Sequence, residues 1–155
     1  MTSTVAQRVH RSERGVVGGL EVLPFGLLIF ICMSLVLSNA WAVVDAKLAV
    51  EDAAREAGRA YVEAHDAASA PAAASAAARA SMAGSGRDPS RLQLSDNGPM
   101  YERCAVVEHT TAYRVAAVKI PFAGSFGSGI TVHGHHREIL DPFASGMGRA
   151  NACDF

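Results

Sequence analysis

Three features of this 155-residue chain predict an α+β fold. A long uncharged apolar run lies near the N-terminus, a stripe of alanine and tyrosine at helical spacing follows it, and the C-terminal third shows strand-like alternation. The expected architecture is a long N-terminal helix, membrane-spanning in its first half, packed on a small antiparallel sheet of about three strands. In order, the segments are a cytoplasmic basic leader (1–21), a transmembrane helix (22–44), an extramembrane helical region (45–83), a loop (84–100) and a small β domain with an irregular tail (101–155).

The leader carries Arg8, Arg11 and Arg14 and ends on Glu21. Residues 22–44 contain no Asp, Glu, Lys or Arg. As a helix they extend about 35 Å, enough to cross a bilayer core of about 30 Å. Glu21 stands at the mouth of this run, where a charge beside hydrocarbon costs roughly 2.5–3.5 kcal/mol unless it finds a partner or water. Pro24 lacks an N–H and bends the first turns. A second reading of the segment is a cleavable secretory signal, with Ala40-Trp41-Ala42 as the cleavage site. The run exceeds the length of a signal's apolar core. Val50, Ala53, Ala57, Tyr61 and Ala64 also continue the helical spacing past the cut, so a retained helix over 22–65 is favoured. Lys47, Arg55 and Arg59 beyond the run balance the three leader arginines, and the positive-inside comparison is nearly a tie. The short N-terminal tail and the distal cysteines favour a cytoplasmic N-terminus.

Beyond the span, Glu51/Arg55 and Arg59/Glu63 are opposite charges four residues apart, each pair worth a few tenths of a kcal/mol on a helix. The alanine-rich stretch 70–83 has Pro71 at its start and reads as a second helix, with a flexible linker as the alternative. Gly84-Ser85-Gly86, Asp88-Pro89 and Asn97-Gly98-Pro99 mark loops. From residue 104, "CAVVEHTTAYRVAAVKIPF" reads as two strands, "GSFGSG" as a turn and "GITVHGHHREIL" as a third strand. In that last strand Ile130, Val132 and Gly134 alternate with Thr131, His133 and His135. The helical stripe and the second helix are the available covers for one face of the sheet.

Of three cysteines, Cys32 lies in the apolar run as a small apolar residue. Cys104 precedes the first strand and Cys153 lies in the tail, and a bond between them would pin the tail in an oxidising compartment. Acids and bases are mixed along a chain of net charge -1, without the basic stripe of a nucleic-acid binder. His133, His135 and His136 with Glu138 are the one cluster of metal-ligand types. On a strand 136 faces away from 133 and 135, and no paired Cys completes a four-ligand zinc site. No metal, other cofactor or catalytic residue is expected, since P-loop, G-x-S-x-G, H-E-x-x-H and C-x-x-C patterns do not occur.

The layout resembles the pilin-like proteins of the type IV filament superfamily, and most closely the TadE-like pilus assembly proteins, minor pseudopilins of the tight-adherence machinery. "ERGVVGGLEVLPFGLLIF" (13–30) resembles the family's entry into its apolar helix, and "AKLAVEDAAREAGRAYVEA" (46–64) its alanine-rich helix exit. "ITVHGHHREILDPF" resembles the closing strand more loosely. The resemblance implies a non-enzymatic membrane subunit that helps to assemble or prime an extracellular adhesive pilus. Its partners would be other pilin-like subunits, the assembly machinery and prepilin peptidase. It also implies that Glu21 pairs with the N-terminal amine of a neighbouring subunit and so sets register. The family cuts after a Gly and places the Glu fifth. Here a cut after Gly15 makes Glu21 sixth, whereas a cut after Val16, before Val17, makes it fifth but with Val before the cut. An atypically processed chain and an uncleaved one, with Glu21 in the headgroup layer, both stay open. The alternative function is a single-pass or signal-peptide-secreted extracellular binding module unrelated to pili.

The apolar run predicts that the full-length protein sediments with membranes and resists alkaline carbonate extraction. Recovery of the whole protein in the soluble fraction would contradict a membrane helix.

Overall fold

Leucine, alanine and other good helix formers dominate the first third of the described chain, and in the computed structural model they form one helix, α1 (Arg14–Val62), which continues through Pro24. The structure describes residues 14–97, 101–116, 118–143 and 153, with 14–21 as backbone only. The chain divides into two compact units, Met1–Ser38 and Asn39–Phe155. The described part of the first unit is helix, with nearly all side chains from Val22 onward exposed. The second unit holds the rest of α1, a second helix and all the strands.

In the second unit the α1 stripe is a row of small side chains. Ala46, Val50, Ala53, Ala54 and Ala57 are fully buried, and Tyr61 nearly so. The opposite face is charged, but its pairing differs from the i,i+4 pattern expected. Glu51 bonds Lys47 at 2.9 Å rather than Arg55, and Arg55 turns back to Asp52 at 3.1 Å. Lys47 also donates to the carbonyl of His133, which holds it within reach of Glu51. Arg59 lies 3.7 Å from Glu63 as expected, with Glu56 at 3.8 Å. These exposed pairs contribute little to stability.

A turn closed by Ser69, whose N–H and hydroxyl both donate to the Asp66 carboxylate, leads into α2 (Ala70–Gly84). Pro71 occupies its first turn, where a missing N–H costs nothing. Ala70, Ala74, Ala78 and Met82, spaced by four, form the buried face. Gly86, at φ 71, takes the left-handed conformation that ends the helix.

The strands are β1 (Gln93–Asn97), β2 (Val106–Val115), β3 (Val118–Ile120), β4 (Gly124–Phe126) and β5 (Ile130–Ile139). β1, β2 and β5 form an antiparallel sheet in the order β1-β2-β5, and β3 and β4 form a separate antiparallel hairpin. Three strands were expected, but not these three. "QLSDN", polar and within the expected loop 84–100, is an edge strand whose partner is β2, with Leu94 opposite Thr111. The stretch after β2 is too short and Pro-interrupted to join the sheet, and it pairs locally with 124–126.

Alternation sets the inner face of the sheet. Val107, His109, Thr111 and Tyr113 of β2 are buried, as are Val132 and Gly134 of β5. Helix and sheet come closest at Gly134. A Cβ there would overlap the backbone carbonyl of Val50 on α1 and lie 2.7 Å from Thr111 Oγ1. That hydroxyl donates to the same carbonyl at 2.7 Å, tying helix to sheet inside the core. At the other end of the unit the Tyr101 hydroxyl donates to the Ala64 carbonyl at 2.6 Å.

Since backbone rather than a movable side chain occupies the space beside Gly134, Gly134→Ala must push α1 off the sheet. It should destabilise the protein by about 2–3 kcal/mol, in the range of overpacked cores. Urea titration of the detergent-solubilised protein, followed by circular dichroism, measures this. An unchanged midpoint would contradict the close approach.

Candidate functional site

Two surfaces of α1 carry the functional candidates. The first is the apolar half. Leu23, Phe25, Phe30, Leu37 and Trp41 are each about two-thirds exposed or more. The most apolar 18-residue window has a mean hydropathy of 2.3, and none of it is buried. Among the described residues this is the one helix long and apolar enough to cross a membrane, by length and composition. So much exposed hydrocarbon in a row is compatible with a single-pass membrane protein. Glu21, Gly15, Val16 and Val17 lie on the course of α1 ahead of this surface, but their side chains fall outside what the structure describes. Cys32 is a free, exposed cysteine within it.

The second surface is the seam under the sheet. At Gly58 the small-residue stripe meets polar groups. A Cβ there would lie 2.9 Å from Glu138 Cγ, 2.9 Å from His136 Cδ2 and 3.5 Å from His109 Cδ2. In register, Asp96, His109 and His136 stand side by side across the three strands. His136 Nε2 lies 2.8 Å from the Glu138 carboxylate. His109 is fully buried, its ring 5.1 Å from that of Tyr61, and neither ring nitrogen has a hydrogen-bond partner. Burial therefore holds its pKa below the ordinary value of 6.5; the His136 side chain acts the same way, and Asp96 and Glu138 oppose it. Burial also raises the Tyr61 phenol, with Asp96 adding to it.

The histidines expected on the last strand divide between its faces. His133 and His135 are exposed on the outer face, where His135 Nδ1 lies 3.2 Å from Thr110 Oγ1. There Arg137 donates to one Glu108 oxygen through Nε at 3.0 Å and Nη2 at 2.8 Å. His136 and Glu138 turn inward. No group of three or more His, Cys, Asp or Glu able to hold a metal occurs among the described residues. Cys104 and Cys153 are bonded, with Cα atoms 5.7 Å apart. Cys104 sits at φ 63 just before β2 and donates its N–H to the Leu140 carbonyl at 3.0 Å. The remainder of the tail, from residue 144, lies outside the described residues.

Three positions went unremarked in the sequence. His109 has the parity of Val107 and Thr111, so the alternation that buries them buries it too. Gly58 interrupts an alanine stripe, a sign of closer approach than alanine permits. Asn39 is a polar side chain within the uncharged run, and it clamps β3. Its Nδ2 donates to the Lys119 carbonyl at 3.2 Å, and its Oδ1 accepts from the Lys119 N–H at 2.6 Å.

A histidine held neutral by burial binds its proton more readily in the unfolded chain. His109 therefore leaves stability intact above about pH 6.5 and removes it as pH falls through the lower folded value. Denaturation midpoints should drop between pH 7.5 and pH 5, and His109→Leu should flatten that slope. An equal slope in the variant would contradict the assignment.

No protein-family model matches the chain, and no curated protein and no solved structure matches it.

Proposed function

We propose that this chain is a TadE-like, pilin-like membrane subunit that contributes to assembling or priming an extracellular adhesive pilus of the tight-adherence type. The observation that carries the proposal is the division of labour along α1. The part from Asn39 on contributes a small-residue stripe to the core under the sheet, while the apolar part is left uncovered. Pilin-like subunits need such a helix twice, first in the bilayer and then against the helices of neighbouring subunits. A role of this kind asks for surfaces and register rather than catalysis.

The Cys104–Cys153 bond supports an extracytoplasmic C-terminal domain, because disulfides persist in oxidising compartments. The N-terminus and its arginines then lie in the cytoplasm, where prepilin peptidase would meet the leader. In a bundle of apolar helices the Glu21 carboxylate would pair with a neighbour's amine, and breaking such a pair strands a charge at low dielectric.

Glu21→Ala should leave expression, membrane insertion and the disulfide intact yet reduce piliation or co-purification with partner pilins. Glu21→Asp should do so more mildly, keeping the charge but moving it by about one methylene. Wild-type assembly in Glu21→Ala would refute the pairing and leave the glutamate a boundary charge in the headgroup layer.

A further inference from the structure

The hairpin of β3 and β4 is exposed at nearly every described position and carries apolar side chains. Val118 and Phe126 stand opposite each other, and both are substantially exposed. At the tip Phe122 is fully exposed at φ 67, a left-handed conformation that a bulky aromatic rarely adopts. Backbone held in such a region clusters at binding and switch positions. From Val115 to Ile130 the sequence has one charged residue, Lys119, on the opposite face to Val118.

Contacts with α1 and the turn after it fix the level of this hairpin. Tyr101 meets Ala64 just past the helix, the Gly134 backbone meets Val50, and Lys47 meets the His133 carbonyl. Further towards the N-terminus, past the Asp45–Arg87 pair, Asn39 meets Lys119 through both amide atoms. Asn39 lies inside the uncharged run, six residues before Asp45, the first charge after it. That is about 9 Å of helix into the apolar segment. The hairpin is also held at its return, where Gly129, at φ 81, runs so close to the Val115 carbonyl that a Cβ would lie 2.7 Å from it. Trp41, exposed at the same level, is the residue type that favours membrane–water interfaces. Arg91 and Arg114 are exposed at this end of the sheet, with the Arg91 guanidinium donating to the Arg114 carbonyl at 2.7 Å. The nearby acids are engaged. Asp45 binds Arg87 at 2.5 Å, and Asp88 caps Ser90.

We propose that this hairpin is a second membrane contact. Phe122, Val118 and Phe126 enter the boundary between headgroups and acyl chains of the leaflet from which α1 emerges. The Lys119 stem lies along that boundary with its ammonium at the phosphates. The occupant is a lipid surface because Asn39, which holds the hairpin, and Trp41 beside it belong to the uncharged run itself. The proposal depends on the membrane helix and not on the filament role.

The chain has a single tryptophan, Trp41, so emission can be assigned to one site at a time. The full-length protein is reconstituted in vesicles of phosphatidylglycerol and phosphatidylcholine brominated near the headgroup. Native Trp41 reports the helix. Trp41→Phe/Phe122→Trp reports the hairpin, and Trp41→Phe/Phe143→Trp reports the exposed opposite end of the sheet. Both Trp41 and the hairpin reporter should be quenched to a similar extent, as two indoles at the interface level would be, while the Phe143 reporter is unaffected. Quenching of Trp41 without quenching at position 122 would overturn the hairpin contact while leaving the membrane helix standing. Unquenched but concentration-dependent blue-shifted emission at 122 would assign the hairpin to a second copy and overturn the lipid contact. No quenching at either site would remove the hairpin contact and the membrane helix together.

Discussion

The closeness of α1 to β5 is the constraint on which the other features of the second unit depend. Val50 and Gly134 meet backbone to backbone, and Thr111 closes the contact with a buried hydrogen bond to the same carbonyl. Such an approach is possible only where side chains are absent or small, which is why α1 presents alanines on this face and β5 a glycine. The gain is dense packing in a unit with few large apolar residues. Met82, Leu140, His109 and Val50 are its largest fully buried side chains. The cost is low tolerance, since there is little slack between helix and sheet to absorb an added methyl group.

The same closeness explains the polar seam. Where the stripe reaches Gly58, the sheet presents His109, His136 and Glu138 instead of aliphatic groups. His136 and Glu138 satisfy each other, whereas His109 is enclosed with its ring nitrogens unpartnered. Enclosed without partners, the imidazole stays neutral and packs beside Tyr61, and it lowers stability as pH falls below about 6.5. At the end of the sheet where β2 begins, the Cys104–Cys153 bond fastens residue 153 to the start of β2. In the chain-entropy picture a loop of this size contributes about 4 kcal/mol.

Much of this plan is legible in the residues. The uncharged run, the stripe Val50–Ala53–Ala57–Tyr61, the Pro71 start of α2 and the alternation of β5 all reflect local periodicity, and the structure has each of them. The position of Cys104 and Cys153 outside the run permits a bond in an oxidising compartment, and the structure has it. What was not legible depends on tertiary context. "QLSDN" has weak strand propensity and becomes a strand because β2 offers it an unpaired edge. Glu51 had two cations within reach, and the choice of Lys47 depends on the His133 carbonyl, which is distant in sequence. The clamp between Asn39 and Lys119 spans eighty residues, and no local pattern announces it. The side chain of Glu21, on which the proposed assembly role turns, lies outside the described residues.

If α1 is at once the apolar helix and the floor of the sheet, its amides beyond the span must be as protected as those of the strands they support. Hydrogen–deuterium exchange on the full-length protein in lipid bicelles, resolved to single amides from Ala46 to Tyr61 and across β2, measures this. Exchange of the helical stripe as slow as that of β2, in one cooperative unit, is the predicted result. Fast exchange of the stripe while β2 stays protected would show that the sheet stands without the helix, and would contradict the shared core.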